Sequence, residues 1–101
     1  MFTPEDEQKD VAQAEEALKL KRDSELSHLR TVLSNEAGLR TIWRIMEQCG
    51  TFESVFRQDI NRMAYYSGKQ DLGHWLQAEV LEADPNLYIK MMKMNNDKER
   101  K

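Results

Sequence analysis

Apolar residues along this chain fall at helical spacing and nowhere alternate in the manner of strands. The clearest stripe is Leu39, Ile42, Trp43 and Met46, at i, i+3, i+4 and i+7, which predicts a core-facing helix. Ser34 or Asn35 caps it, Glu36 favours its positive end, and Gly50 after Cys49 suits a left-handed C-terminal turn. Upstream, residues 4–33 also read as helix, with Thr3 or Asp6 as cap and Pro4 in the first turn. The first half of that segment carries only Val11, Ala14 and Leu18, with Ala17 and Leu20 beside them, a stripe with little area. Its apolar content rises at Leu26, Leu29, Val32 and Leu33, so the globular domain is expected to begin near Ser24, which could also start a separate helix.

Downstream, TFESVF reads as a connector pinned by Phe52, Val55 and Phe56. Asp59 suits the N-cap of a further helix with Ile60, Met63 and Ala64 inward. The stretch AYYSGKQDLGHWL then holds two glycines, each costing about 1 kcal/mol against Ala inside a helix. The favoured reading ends one helix at Gly68 and starts another at Asp71, with Leu72, Trp75, Leu76, Glu79 or Val80, and Ala83 inward. Gly73 then clears space for a neighbouring backbone or ring. The alternative is one continuous helix whose small residues form a packing notch. Asp84-Pro85 marks a boundary, since Asp caps, Pro fits the first helical position, and the residue before Pro resists helix. Leu87, Tyr88, Met91 and Met92 build a last helix, followed by a polar tail.

The fold expected is all-α: a small bundle of four to five helices with an extended amphipathic N-terminal helix. Residues 1–23 form an arm, 24–92 the helical domain and 93–101 a basic tail. The core is assigned to Leu39, Ile42, Trp43, Met46, Phe52, Phe56, Leu72, Trp75, Leu76, Val80 and Tyr88. Gly50, Gly68, Gly73, Asp84 and Pro85 are assigned to corners and close packing.

Length and charge narrow the partners. With 101 residues the chain suits one domain, and a thin helix outside the core calls for another surface to hold it. The net charge of −3 is unevenly spread: residues 1–30 carry eight acids and five bases, residues 84–101 three acids and five bases. A net acidic chain disfavours broad nucleic-acid binding, leaving only weak contact through Lys90, Lys93, Lys98, Arg100 and Lys101. A helix-turn-helix reader with residues 71–82 as its recognition helix is disfavoured too, because that segment has Asp71, Glu79 and Glu82 but no Arg or Lys. Arg40, Arg44, Arg57, Arg62 and Lys69 read as scattered solvated charge balanced by nearby acids. No secretory pattern and no membrane-spanning run is present, so synthesis in the cytoplasm is expected.

Catalytic chemistry finds no foothold in these residues. Cys49 stands alone, without a neighbouring base, and reads as a small apolar residue at a helix end. His28 and His74 belong to no ligand-spaced cluster. SGKQDLG lacks the GxxxxGK[ST] pattern and preceding strand of a phosphate loop. No catalytic residue, metal or cofactor is assigned. The residues assigned to partner binding are Val11, Ala14, Leu18, Tyr65, Tyr66 and Met94: a stripe without area, two adjacent rings that cannot both be buried, and an adaptable methionine.

Two stretches carry a resemblance. HLRTVLSNEAGLRTIWRIMEQCG with TFESVF, and DINRMAYYSGKQDLGHWLQAEVLEADPNLYIKMM, resemble the two halves of a small family of tailed-phage proteins named for a Bordetella phage member, over residues about 28–92. In that family Glu-Gly often precedes a basic residue at the small-residue turn; here Ser67 replaces the acid. The resemblance implies a virion or assembly accessory protein, made in the host bacterium and incorporated in the particle, with phage structural proteins as partners; self-association or multi-copy assembly is expected from the thin N-terminal helix, which needs another copy or another protein to pack on. It implies no active site. The rival expectations are a small phage regulator that inhibits a host factor and a DNA binder acting through the basic tail.

Overall fold

The computed structural model describes residues 3–99, with side chains through residue 96. These residues form four helices and no strand: α1 (Pro4–Val32), α2 (Glu36–Gln48), α3 (Ile60–Ala83) and α4 (Pro85–Glu99). Each helix start has a local cause. Thr3 closes a capping box on α1: its Oγ1 accepts from the Asp6 amide at 3.2 Å, while the Asp6 carboxylate accepts from the Thr3 amide at 3.3 Å. Asn35 caps α2 by accepting from the Gly38 amide at 2.8 Å, and Asp59 caps α3 by accepting from the Asn61 and Arg62 amides. Asp84 ends α3 and opens α4, its carboxylate accepting from the Asn86 and Leu87 amides.

The core is a cluster of Leu33, Leu39, Trp43, Met46, Val80 and Met91, contributed by all the helical segments. Leu29, Ile42, Leu76, Leu87, Tyr88, Met92 and Met94 pack around it, partly buried. Leu26 is buried as well, but every residue from Thr3 to Lys21 is exposed. The radius of gyration, 19.2 Å, exceeds the roughly 13 Å of a compact chain of this length because half of α1 projects.

Two close approaches fix the bundle. A Cβ on Gly38 would lie 1.6 Å from the Val32 carbonyl oxygen, so only glycine lets α2 begin directly under the end of α1. At the other end of α2, Gly50 adopts φ 68°, the Gly50 amide donates to the Glu47 carbonyl and the Thr51 amide to the Met46 carbonyl. This is a Schellman turn, which satisfies carbonyls that the helix end would otherwise leave bare. The Thr51 hydroxyl adds a bond to Met46 O at 2.7 Å and is buried there.

The structure corrects several expectations. Helix α3 runs unbroken through Gly68, where a Cβ would meet nothing within 4 Å, and Asp71 caps nothing. α1 is likewise continuous through Ser24. Gly73 is a packing notch: its Cα faces the Schellman turn, and a Cβ would lie 2.1 Å from Thr51 Oγ1 and 2.8 Å from Cys49 Cβ. That docking rotates α3 so that a polar face points inward. Gln70 Nε2 donates to the carbonyls of Gly50 at 2.9 Å and Glu53 at 2.6 Å, and His74 Nε2 sits 3.1 Å from the Thr51 carbonyl oxygen. Leu72 and Trp75, assigned to the core, therefore point outward and are 58% exposed each. Phe52 and Phe56 are also exposed, because the connector follows the surface; Phe52 covers Trp43 by ring stacking, with centroids 4.9 Å apart. Ile60 and Ala64 face solvent rather than the core. Met94 packs partly buried against the core instead of standing out as a contact residue. α4 continues to Glu99, beyond the expected start of the tail at residue 93; Arg100, Lys101 and the Lys98 side chain lie outside the described residues.

Candidate functional site

Three surface features carry the residues singled out from sequence. The first is the α1 arm. Val11, Leu18 and Leu20 are exposed at 56%, 67% and 61%, and Ala14 lies exposed between the first two. A 3.6-residue repeat puts Val11 and Leu18 on the same face as Arg22, Leu26 and Leu29, the face that packs on the bundle. The arm is thus the continuation of a packing surface past the end of what it packs on. It spans residues 4–21, about 27 Å at the helical rise.

Arg22 forms the join between arm and bundle. Its guanidinium reaches across to α3, bonding Glu79 at 2.7 Å through Nη1 and Glu82 through Nη2. Hydrogen bonding to Glu79 first, and to Glu82 second, holds the guanidinium proton more tightly than usual. Further along, Arg30 Nε donates to the Ala83 carbonyl at 2.7 Å, satisfying a helix-end acceptor. Sequence reasoning treated these acids as helix positions and missed the fork. Its available signal was an Arg on the apolar face at the point where that face thickens.

The second feature is the outward face of α3. Tyr65, Gly68, Leu72 and Trp75 follow one another at helical spacing, all exposed, and Glu79 continues the row to Arg22. Tyr66, the other ring of the pair, turns toward the connector and lies half-buried under the Arg57 guanidinium, 4.3 Å from its centroid. The two tyrosine rings meet edge to face at 5.3 Å, and Lys69 Nζ sits 5.8 Å and 5.6 Å from them. Arg57 also donates to the carbonyls of Ser54 and Phe56, and Arg40 pairs with Glu36 one turn back.

The third is a cavity of about 360 Å³ between α2, the connector and α4, walled by Trp43, Phe52, Tyr88 and Met92, with Glu47, Glu53 and Asn96 at its edge. Tyr88 tilts against Trp43 with centroids 6.4 Å apart, and its hydroxyl accepts from Gln77 Nε2 at 2.7 Å.

Cys49 is buried against the turn, His28 is exposed, and His74 is occupied by the connector. Among the described residues no group of three or more His, Cys, Asp or Glu is placed to hold a metal ion, and no helix is long and apolar enough to cross a membrane.

Residues 29–93, from the last turn of α1 to the middle of α4, match the model of the Bbp19-like phage protein family. The chain belongs to that family. No curated protein and no solved structure matches it. The Bbp19-like segment contains the core cluster, the Schellman turn, the α3 face and every cavity-lining residue except Asn96. The arm and Arg22 precede the matched residues, while the fork's carboxylates, Glu79 and Glu82, lie within them.

Proposed function

We propose that this Bbp19-like protein is a non-enzymatic virion or assembly accessory protein that docks through its helical faces on a larger phage assembly. The portal, the internal core or the ejection proteins are the hosts this reading favours. The observation that carries it is the α1 arm: an amphipathic half-helix with no packing partner among the described residues, attached to a bundle of a phage family. A helix with so small an apolar stripe gains little in water by itself and is worth ordering where a second surface covers it. The domain division follows the same logic, with residues 1–23 as docking arm and 24–92 as the platform that presents it.

Mass spectrometry of purified particles tests this. The protein is expected in the virion at a fixed stoichiometry, and particles carrying an arm-deleted chain should lack it. Its absence from the wild-type particle overturns the reading and favours the regulator of a host factor.

A further inference from the structure

The bundle leaves two apolar rows uncovered, and they match. On the arm the row is Val11, Ala14 and Leu18; on α3 it is Tyr65, Gly68 and Leu72, with Trp75 beyond. Both rows put large residues seven apart with a small one three after the first. Laid side by side in the same direction, they set Ala14 against Gly68, where a Cβ would meet nothing within 4 Å and two helices can come close. Leu18 then meets Leu72, and the stem and ammonium of Lys21 reach the Trp75 ring.

Charge agrees with this direction. The first part of the arm carries Glu5, Asp6, Glu7, Asp10, Glu15 and Glu16 against a single base, Lys9. Residues 57–70 carry Arg57, Arg62 and Lys69 against one acid, Asp59, with Glu47 and Glu53 of the neighbouring turn beside Arg57 and Lys69. The arm's basic end, Lys19 and Lys21, falls toward Asp71. Complementary patches of this kind fix register and suppress other pairings.

In the single molecule the arm does not cover this row. α1 is a straight continuation of the helix held by Arg22 at Glu79, and both rows stay exposed in the single molecule. Bending the arm onto α3 would break helical hydrogen bonds that nothing replaces.

We propose that the occupant of the α3 face is the α1 arm of a second copy of this chain. Reciprocal exchange closes as a dimer, whereas head-to-tail exchange gives a ring where the rotation closes and a filament where it does not. The proposal rests on the reading of α1 as a docking arm and names what it docks on.

Light-scattering mass measurement of the full chain over a concentration series should show an oligomer. Leu18→Glu on the arm and Leu72→Glu on α3 should each raise its dissociation constant about 30-fold or more, the loss of one interface anchor. Circular dichroism should still report the cooperative unfolding of the bundle, since both side chains are exposed in the single molecule. Lys69→Glu should weaken assembly and Glu15→Lys in the same chain restore it. Mixing a Leu18→Cys chain with a Leu72→Cys chain under oxidation should give the mixed disulfide. A monomer at every concentration, an oligomer indifferent to both Glu variants, or disulfides joining only Leu18→Cys chains to each other would overturn the exchange. None of those outcomes bears on whether the protein is found in the particle, so the two readings fail separately.

Discussion

Gly68 and Gly73 lie five residues apart in one helix, yet alanine should have opposite effects at the two positions. At Gly68 the new methyl enters open space, so the substitution gains helix propensity and loses unfolded-state freedom, about 0.5–1 kcal/mol of stabilisation. At Gly73 the same propensity gain is available, but the methyl would lie 2.1 Å from Thr51 Oγ1 and 2.8 Å from Cys49 Cβ. Relief requires α3 to move off the Schellman turn by about an ångström, because van der Waals contact lies near 3.4–4 Å. That shift stretches the two Gln70 bonds and the His74 contact, all between 2.6 and 3.1 Å. Overpacking costs about 1–3 kcal/mol, and each weakened hydrogen bond adds about 0.5–1.5 kcal/mol. After offsetting the propensity gain, Gly73→Ala should destabilise by about 1.5 kcal/mol or more. Urea unfolding followed by circular dichroism, with both variants at one low protein concentration, measures the pair. The midpoint should rise for Gly68→Ala and fall for Gly73→Ala at unchanged slope. Equal stabilisation by both variants would refute the notch and the inward polar face with it.

Gly38→Ala should cost more than Gly73→Ala, at least about 3 kcal/mol, because its methyl meets a backbone carbonyl at 1.6 Å that no side-chain rotation can move; thermal unfolding reads it. Gly50→Ala forces a left-handed residue at φ 68° and should lower stability by about 1–2 kcal/mol in the same assay. Met91→Ala should cost about 2–5 kcal/mol, whereas Phe56→Ser, at 72% exposure, should stay within about 0.5 kcal/mol of wild type. Asn35→Ala should lose the bond to the Gly38 amide and about 1 kcal/mol with it.

Helix termini were legible from the sequence because capping is local chemistry. Thr3, Asn35, Asp59 and Asp84-Pro85 each act on amides within three residues. The α2 stripe was legible too, since Leu39, Trp43 and Met46 pack where periodicity places them. α3 defeated the same argument. Beside Gly73 it carries Gln70 and His74, which reach carbonyls of the Schellman turn and connector, and Gln77, which donates to the Tyr88 hydroxyl of α4, so a side that looks solvated in the sequence makes contacts. A glycine flanked on its own face by three hydrogen-bonding side chains was the signal for that contact. Leu72 and Trp75 read as inward because they continue an apolar stripe with Leu76, Val80 and Ala83, but the bundle is too small to bury both faces of a 24-residue helix. The Arg22 fork joins residues 57 and 60 positions apart, a separation no local pattern reports.

The same fork makes α1 a lever. Its fulcrum lies at Arg22, and the tip at Pro4 stands about 27 Å beyond, so a tilt of about 10° at the crossing swings the tip by roughly 5 Å. Small adjustments where two carboxylates grip one guanidinium would thereby set the distance between whatever the tip touches and the bundle that carries it.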